Sequence, residues 1–288
     1  MFRNKITCSS CDEKIDALSY DCPYCHTHNL EYDKLGLSKH AINPAWYFQL
    51  IFFIFGWLGL QTIIGTLVET LIAKINGVPL NDMITRVDLL GPAEFIMYFI
   101  LFAGFILLVF FSKSYKRFPS IFKDWRTYVF GLAGLGATFV LGNIWEMISS
   151  IFTSSSSGNQ ELVIRIVIAY PALSIIVMAF IGPLCEELTY RVGLFGLLRR
   201  WNRLAAYLIG IFVFAAIHFD VSALLTGLTS NDWSGLINEL WNFPSYLIAG
   251  GVLVATYDLF GFGASSFAHV LNNLYSIIAI LYVYYAGK

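Results

Sequence analysis

Charge is scarce in this chain. Lys, Arg, Asp and Glu make up 13% of its 288 residues, and 57% are hydrophobic. A soluble domain carries about one quarter charged residues. With a mean hydropathy of +0.67, an ordinary water-exposed surface is excluded and the chain reads as an integral membrane protein. Basic excess is also missing: the net charge is −1, which argues against a nucleic-acid partner. No basic-then-apolar leader opens residues 1–40, which are polar. Insertion is therefore expected to rely on the first internal span, leaving the polar start on the side where it is made. Cysteine is sparse too. Four of the five lie within the first 25 residues, and Cys185 is alone in an apolar run.

The four form C-x2-C-x10-C-x2-C, through Cys8, Cys11, Cys22 and Cys25. Two such knuckles predict a tetrahedral metal site of four thiolates, a small structural zinc-ribbon over residues 1–30 that folds around its ion because it has no core of its own. Disulfides in an exported tail are the competing reading. His26 and His28 follow the last cysteine and read as surface residues rather than substitute ligands.

Beyond a linker at 31–44, apolar segments appear at about 45–73, 92–111, 127–152, 162–198, 204–219, 241–260 and 264–286. The longer ones reach the ~20 residues that a helix needs to span ~30 Å of hydrocarbon. An all-α polytopic protein of about seven transmembrane helices, with six to eight possible, is expected over 45–288. The 162–198 stretch is too long for one span and contains Pro171 and Pro183, so a kink or re-entrant start is expected there. Aromatics at 17% suit a membrane bundle with interfacial rings.

Basic residues concentrate in two connections, Lys113, Lys116, Arg117, Lys123 and Arg126 in one and Arg199, Arg200 and Arg203 in the other. The connections at 153–161 and 220–240 contain no Lys or Arg. Positive charge stays inside, so both basic turns and the cysteine-rich N-terminus are expected in the cytoplasm, where thiolates and zinc prevail over disulfides.

Against this background two adjacent acids stand out. Glu186 and Glu187 sit in the apolar run from Ile175 to Leu198, followed one turn later by Arg191. A charge near mid-bilayer costs several kcal/mol, roughly 2.5–3.5 on insertion scales, so it marks a functional site. Two further polar groups follow, Phe214 with His218, and His269 with Asn272 and Asn273. Each is a pair at i,i+4 on one helix face. Glu186 and His218 each lie roughly 20–23 Å along their helices from the Arg199–Arg203 turn, hence at one depth. His269 comes only six residues after Gly263 and is shallower unless the 258–263 turn dips into the protein. A carboxylate beside an imidazole can take a proton from water, and a second imidazole with an amide can stabilise an oxyanion. No Ser or Cys is placed as a nucleophile, and Cys185 reads as a packing residue.

EELTYR, FAAIH and HVLNN match E-E-x-x-x-R, F-x-x-x-H and H-x-x-x-N in order. By these motifs, over roughly 160–288, the chain resembles the CPBP family, the CAAX-protease and bacteriocin-processing (Abi) membrane proteins, with a core at about 125–288. The resemblance implies a helical intramembrane endopeptidase whose cavity opens toward the cytoplasm. Glu186 would activate water with His218, Glu187 and Arg191 would support that geometry, and His269 and Asn273 would stabilise the oxyanion. Val192 departs from the family, where glycine often follows the arginine; here glycine comes at Gly193. Glu186, His218 and His269 could alternatively hold a catalytic metal, although H-E-x-x-H is absent, and a metal-free glutamate mechanism is the preferred expectation. The expected partners are a protein or peptide substrate at the membrane and the lipid bilayer. CAAX-type processing, peptide or bacteriocin maturation and self-immunity all remain open. A non-catalytic scaffold or immunity protein of the same fold is the alternative, and a proton-coupled transporter ranks last.

Overall fold

The computed structural model describes residues 5–34, 38–153 and 155–287. Residues 35–37 of the expected linker, and Ser154 of the connection free of basic residues, lie outside the described residues. A two-stranded ribbon opens the chain, with β1 (Ile6–Thr7) antiparallel to β2 (Lys14–Ile15) and Ile6 opposite Ile15. Among the described residues the later elements are helices, apart from an isolated bridge between Asp21 and His28. The start of the stretch read as linker is α1 (Leu30–Lys34).

The membrane domain begins with α2 (Trp46–Gln61) and α3 (Ile63–Asn76), followed by α4 (Val87–Phe111). A short α5 (Phe118–Lys123) leads to α6 (Trp125–Ser149) and then to α7 (Gly158–Ala169). The long α8 (Pro171–Arg199) follows. The chain closes with α9 (Arg203–Ala216), α10 (Val221–Ser230), α11 (Ser234–Phe260) and α12 (Phe262–Ala286). Among the described residues, six helical segments are long and apolar enough to cross a membrane, and α9 with α10, bent by 64°, makes a seventh if counted as one span. The protein is a mostly helical, polytopic integral membrane protein with a small N-terminal ribbon.

The overlong 162–198 stretch resolves into two helices. The backbone breaks at Tyr170, whose φ and ψ are −135° and 62°, and Pro171 starts the next helix at a position where its missing N–H costs nothing. Side-chain caps set the other turns. Asp124 accepts from the Arg126 amide, Ser157 from Gln160, Asn202 from Ala205 and Asp220 from Ser222.

Most spans have little amphipathic character because lipid, not water, is their solvent. Leu132, Val140, Ile144, Leu208 and Phe212 are exposed along their outer faces. Helix α8 is the exception. More than half of its apolar window is buried, against a third or less in every other span. It runs through the centre of the bundle, and small residues let α2 approach it. A Cβ at Gly193 would lie 2.7 Å from the Phe53 amide nitrogen, and one at Gly56 would collide with Thr189. Close backbone approach through small residues is how membrane helices pack without a hydrophobic driving force. It also accounts for the glycine at 193 rather than 192, where Val192 is fully buried in the core.

Candidate active site

Helix α8 carries the two glutamates at a junction in its own geometry. The stretches Ile175–Ile181 and Glu187–Phe195 are wide π-type turns with i→i+5 hydrogen bonds, separated by an α-helical turn that holds Glu186. Such turns gather at functional sites, and the apolar sequence gives no sign of them.

The neighbours Glu186 and Glu187 face different partners. Glu187 is fully buried. Its Oε1 receives the His269 Nδ1–H at 3.0 Å and lies 3.3 Å from Arg191 Nε, while Oε2 accepts the Ser265 hydroxyl. Arg191 is equally buried, and its guanidinium lies over the Phe214 ring, 4.2 Å from the centroid. Glu186 Oε2, by contrast, is buried with no hydrogen-bond partner. It points to His269 Nε2 at 3.7 Å.

His218 lies just past the end of α9, in the bend before α10. Its Nδ1 donates to the Phe214 carbonyl at 2.9 Å. A carbonyl only accepts, so the neutral ring is left with a free lone pair on Nε2. The ring is clamped between Phe214, 5.0 Å away, and Tyr246, stacked at 4.7 Å. Asn273 donates to the Met178 carbonyl at 3.0 Å and ties α12 to α8. Glu186, His218, His269 and Asn273 all line one polar cavity of about 520 Å³. A second cavity of about 370 Å³ shares Glu186, His218 and Asn273 and runs between apolar side chains such as Met178 and Ile277.

The depth of His269 is explained by its turn. Asp258 and Phe262 are buried, the Ser38 amide donates to the Asp258 carbonyl, and the backbone of His40 packs against Gly261. The 258–263 turn therefore lies beneath the chain that joins the ribbon to α2, and α12 starts deep enough to bring His269 to the glutamates.

Several residues at or near the site lie outside the three motifs. Glu94 lines the second cavity with Tyr98, and a lone acid in an apolar span was the available signal. Buried Glu239 accepts the Gly158 amide at 2.6 Å and the Asp220 amide at 3.3 Å, pinning two turns to α11. Tyr246 had no signal at all.

Residues 185–196 of α8 are continuously buried, and Asn143, Glu146 and Asn242 add polar groups to the lining of the larger cavity.

In the ribbon itself, the two knuckles repeat one backbone pattern. Cys8 donates its amide to Glu13 and receives the Asp12 amide, while Cys22 donates to Thr27 and receives that of His26. Asp12 and His26 both take φ of 58°. The four cysteines are free, with ligand atoms all within 4.8 Å of one another. Sulfur separations of 3.7 Å for Cys8–Cys25 and 3.6 Å for Cys11–Cys22 exclude disulfides. They match the ~3.8 Å edge of a tetrahedron with ~2.3 Å metal–sulfur bonds. The cluster can hold a metal ion such as zinc. Bonding from Thr27 draws the Cys25 thiol down to about 6. His28 bonds Asp33 at 2.9 Å instead, and among the described residues no other group of three or more His, Cys, Asp or Glu side chains gathers in this way.

Comparison with known families agrees with the motif resemblance. Residues 168–275 match the type II CAAX prenyl endopeptidase Rce1-like family. The matched segment contains Glu186, Glu187, Arg191, His218, His269 and Asn273, and the match supports an intramembrane endopeptidase in general. No curated protein and no solved structure matches the chain.

Proposed function

We propose that this protein is an intramembrane endopeptidase that cleaves membrane-associated or peptide substrates with water activated by Glu186. The observation that carries the reading is the contrast at Glu186 Oε2, buried, without a hydrogen-bond partner and facing a polar cavity. An acceptor left open in this way is costly unless something else occupies it; a water molecule does so here. Glu186 takes a proton as the water oxygen bonds to the substrate carbonyl carbon, with His218 Nε2 accepting from the same water. The carbonyl electron pair moves onto oxygen, where His269 and Asn273 donate to it. Collapse breaks the C–N bond, and the proton passes from Glu186 to the departing amine.

The constraints on each role come from its other bonds. With Nδ1 committed to Glu187, His269 donates from Nε2 only when its ring carries both protons, and the Glu187 carboxylate supplies the counter-charge. Asn273 retains one amide hydrogen beyond the one given to Met178.

Zinc is the ion proposed for the ribbon, where it supplies folding energy and no chemistry. One zinc per chain is expected by native mass spectrometry, absent in Cys22→Ser. The family description points to CAAX-type processing as one substrate class.

The test compares peptide termini in membranes from cells expressing the wild type or Glu186→Gln at matched levels. Termini unique to the wild type are expected. Identical samples, with the protein present and folded, would sink the peptidase reading in favour of a non-catalytic scaffold.

A further inference from the structure

The smaller cavity beside Glu186 holds a second acid. Glu94 of α4 lines it together with Glu186, His218 and Asn273, and its apolar wall includes Ile166, Met178 and Ile277.

Packing fixes where Glu94 stands. A Cβ at Gly91 would lie 2.7 Å from the Tyr170 ring, and the Phe95 ring meets the same tyrosine at 5.8 Å. Farther along both helices, a Cβ at Gly182 would lie 3.4 Å from the Tyr98 ring. Contacts in this order make α4 and α8 run parallel, with Tyr98 level with Gly182. Glu94 is one turn before Tyr98 and Glu186 one turn after Gly182, so the two carboxyls stand roughly 12 Å apart along the cavity.

Glu94 has no counter-charge of its own. Glu187 pairs with Arg191 and His269, and Asp258 with Arg199 and Arg203. Among the described residues Glu94 is in no ion pair, and the charged group that acts on it is another acid, Glu69 of α3. Glu94, Glu146 and Glu186 line the two cavities, and neither lining contains a Lys or Arg. Glu186 is 8% exposed, and its Oε2 is without a partner. Carboxylates in an apolar span are costly unless a cation completes them. Here the cation has to come from outside the chain.

We propose that Glu94 is a specificity residue: the smaller cavity takes a Lys or Arg side chain of the substrate, and the charged head pairs with Glu94. Selection of this kind rests on the peptidase reading. The aliphatic stem lies against Met178 and Ile277, since long basic side chains bury their methylenes and keep the charged tip on a polar group. Such a side chain reaches about 6–7 Å, and an extended residue spans about 3.3 Å. The basic residue therefore sits one or two positions from the scissile bond.

The test offers the purified wild type short peptides that differ at a single position, Lys or Arg against norleucine, with that position moved stepwise along the peptide. The Lys and Arg peptides should be cleaved with kcat/KM at least about tenfold above the norleucine peptide. Glu94→Gln should lose this preference and Glu94→Asp should keep it. The preference is a ratio within one preparation, so a smaller folded fraction does not move it. Equal cleavage by the wild type, or a preference that survives Glu94→Gln, overturns the proposal. Binding of the same peptides to Glu186→Gln, read by fluorescence anisotropy, separates the pocket from the chemistry. Tighter binding of the Lys peptide, lost on adding Glu94→Gln, with no cleavage by the wild type removes the peptidase reading and leaves the pocket standing. Cleavage without basic preference does the reverse, and neither binding nor cleavage sinks both.

Discussion

Helices α8 and α9 join two buried acidic centres, and the difference between them separates structure from chemistry. At the ribbon end the Asp258 carboxylate is fully buried and fully paired. Arg203 reaches it at 2.7 Å, Tyr207 at 3.0 Å and Arg199 at 3.5 Å. At mid-depth, Glu187 is held as firmly, but Glu186 keeps one oxygen without a partner. A buried charge whose bonds are complete fixes geometry. One whose bonds are incomplete, and which faces a cavity, is available to a reactant.

The sharpest way to break this comparison is Glu186→Gln. The amide has the shape of the acid but cannot take a proton from water. General-base catalysis contributes about 10²–10⁴-fold, so turnover should fall by about 10³-fold in a membrane peptidase assay. The thermal unfolding midpoint should be unchanged or slightly raised, since no protein bond to Oε2 is lost. Turnover within tenfold of the wild type would falsify the role.

Asp258→Asn should invert that result. Removing one partner of a buried ionic cluster leaves Arg199 and Arg203 facing an amide, at a cost of about 3–5 kcal/mol. Detergent-solubilised protein should unfold at a clearly lower temperature, while activity per folded molecule stays within a few-fold of the wild type. If stability holds and turnover collapses, the two centres have been assigned the wrong way round.

How much of this difference was legible in the sequence depends on which contacts set it. Glu186 and His218 could be brought to one level because they flank a short basic turn, and a rise per residue is enough to measure depth from it. The depth of His269 could not be read, because packing of His40 on Gly261 sets it, a contact between residues more than 200 positions apart. The four-thiol cluster was legible because its ligands are local. The π-type turns were not, since nothing in an apolar run distinguishes i→i+5 from i→i+4 bonding. The cavity was also hidden. It depends on polar side chains of α6, α11 and α12 that are unremarkable singly, Asn143, Asn242 and Ser276, and become a lining only when three helices meet.

A smaller effect tests why α8 can sit at the centre at all. In Gly193→Ala the new Cβ would meet Phe53 backbone atoms at 2.7 and 3.0 Å, and backbone cannot rotate away. Overpacking of this kind costs about 1–3 kcal/mol. A lowered unfolding temperature is expected, with a modest loss of turnover as the π-type turn beside Glu187 shifts. Val192→Gly, which moves the glycine to the family's position, should not rescue it, because the Cβ at 193 would still meet the Phe53 backbone. Rescue would show that α2 can slide and that the close approach is not specific.

The smallest effect belongs to the ribbon end and is pH-dependent. Asp124 caps α6 through the Arg126 amide, 3.0 Å away, and also bonds His40. The Arg126 amide bond is the largest influence holding its carboxyl below the ordinary value of 3.8; burial opposes it and His40 assists. A carboxyl with a depressed folded-state value adds stability that is present above its unfolded value and lost as pH falls through the folded one. The wild type should therefore lose part of its ribbon-end stability below about pH 4. Asp124→Ala should lower stability at neutral pH through loss of the N-cap and lose less than the wild type on acidification. Hydrogen exchange at the start of α6, followed from pH 6 to pH 3, measures both. Because the saturated centre at Asp258 lies at the same end, the decisive control is that Glu186-dependent turnover, assayed at neutral pH, stays within a few-fold in this variant. A large loss would mean that the ribbon end and the chamber are coupled and that the separation between them is wrong.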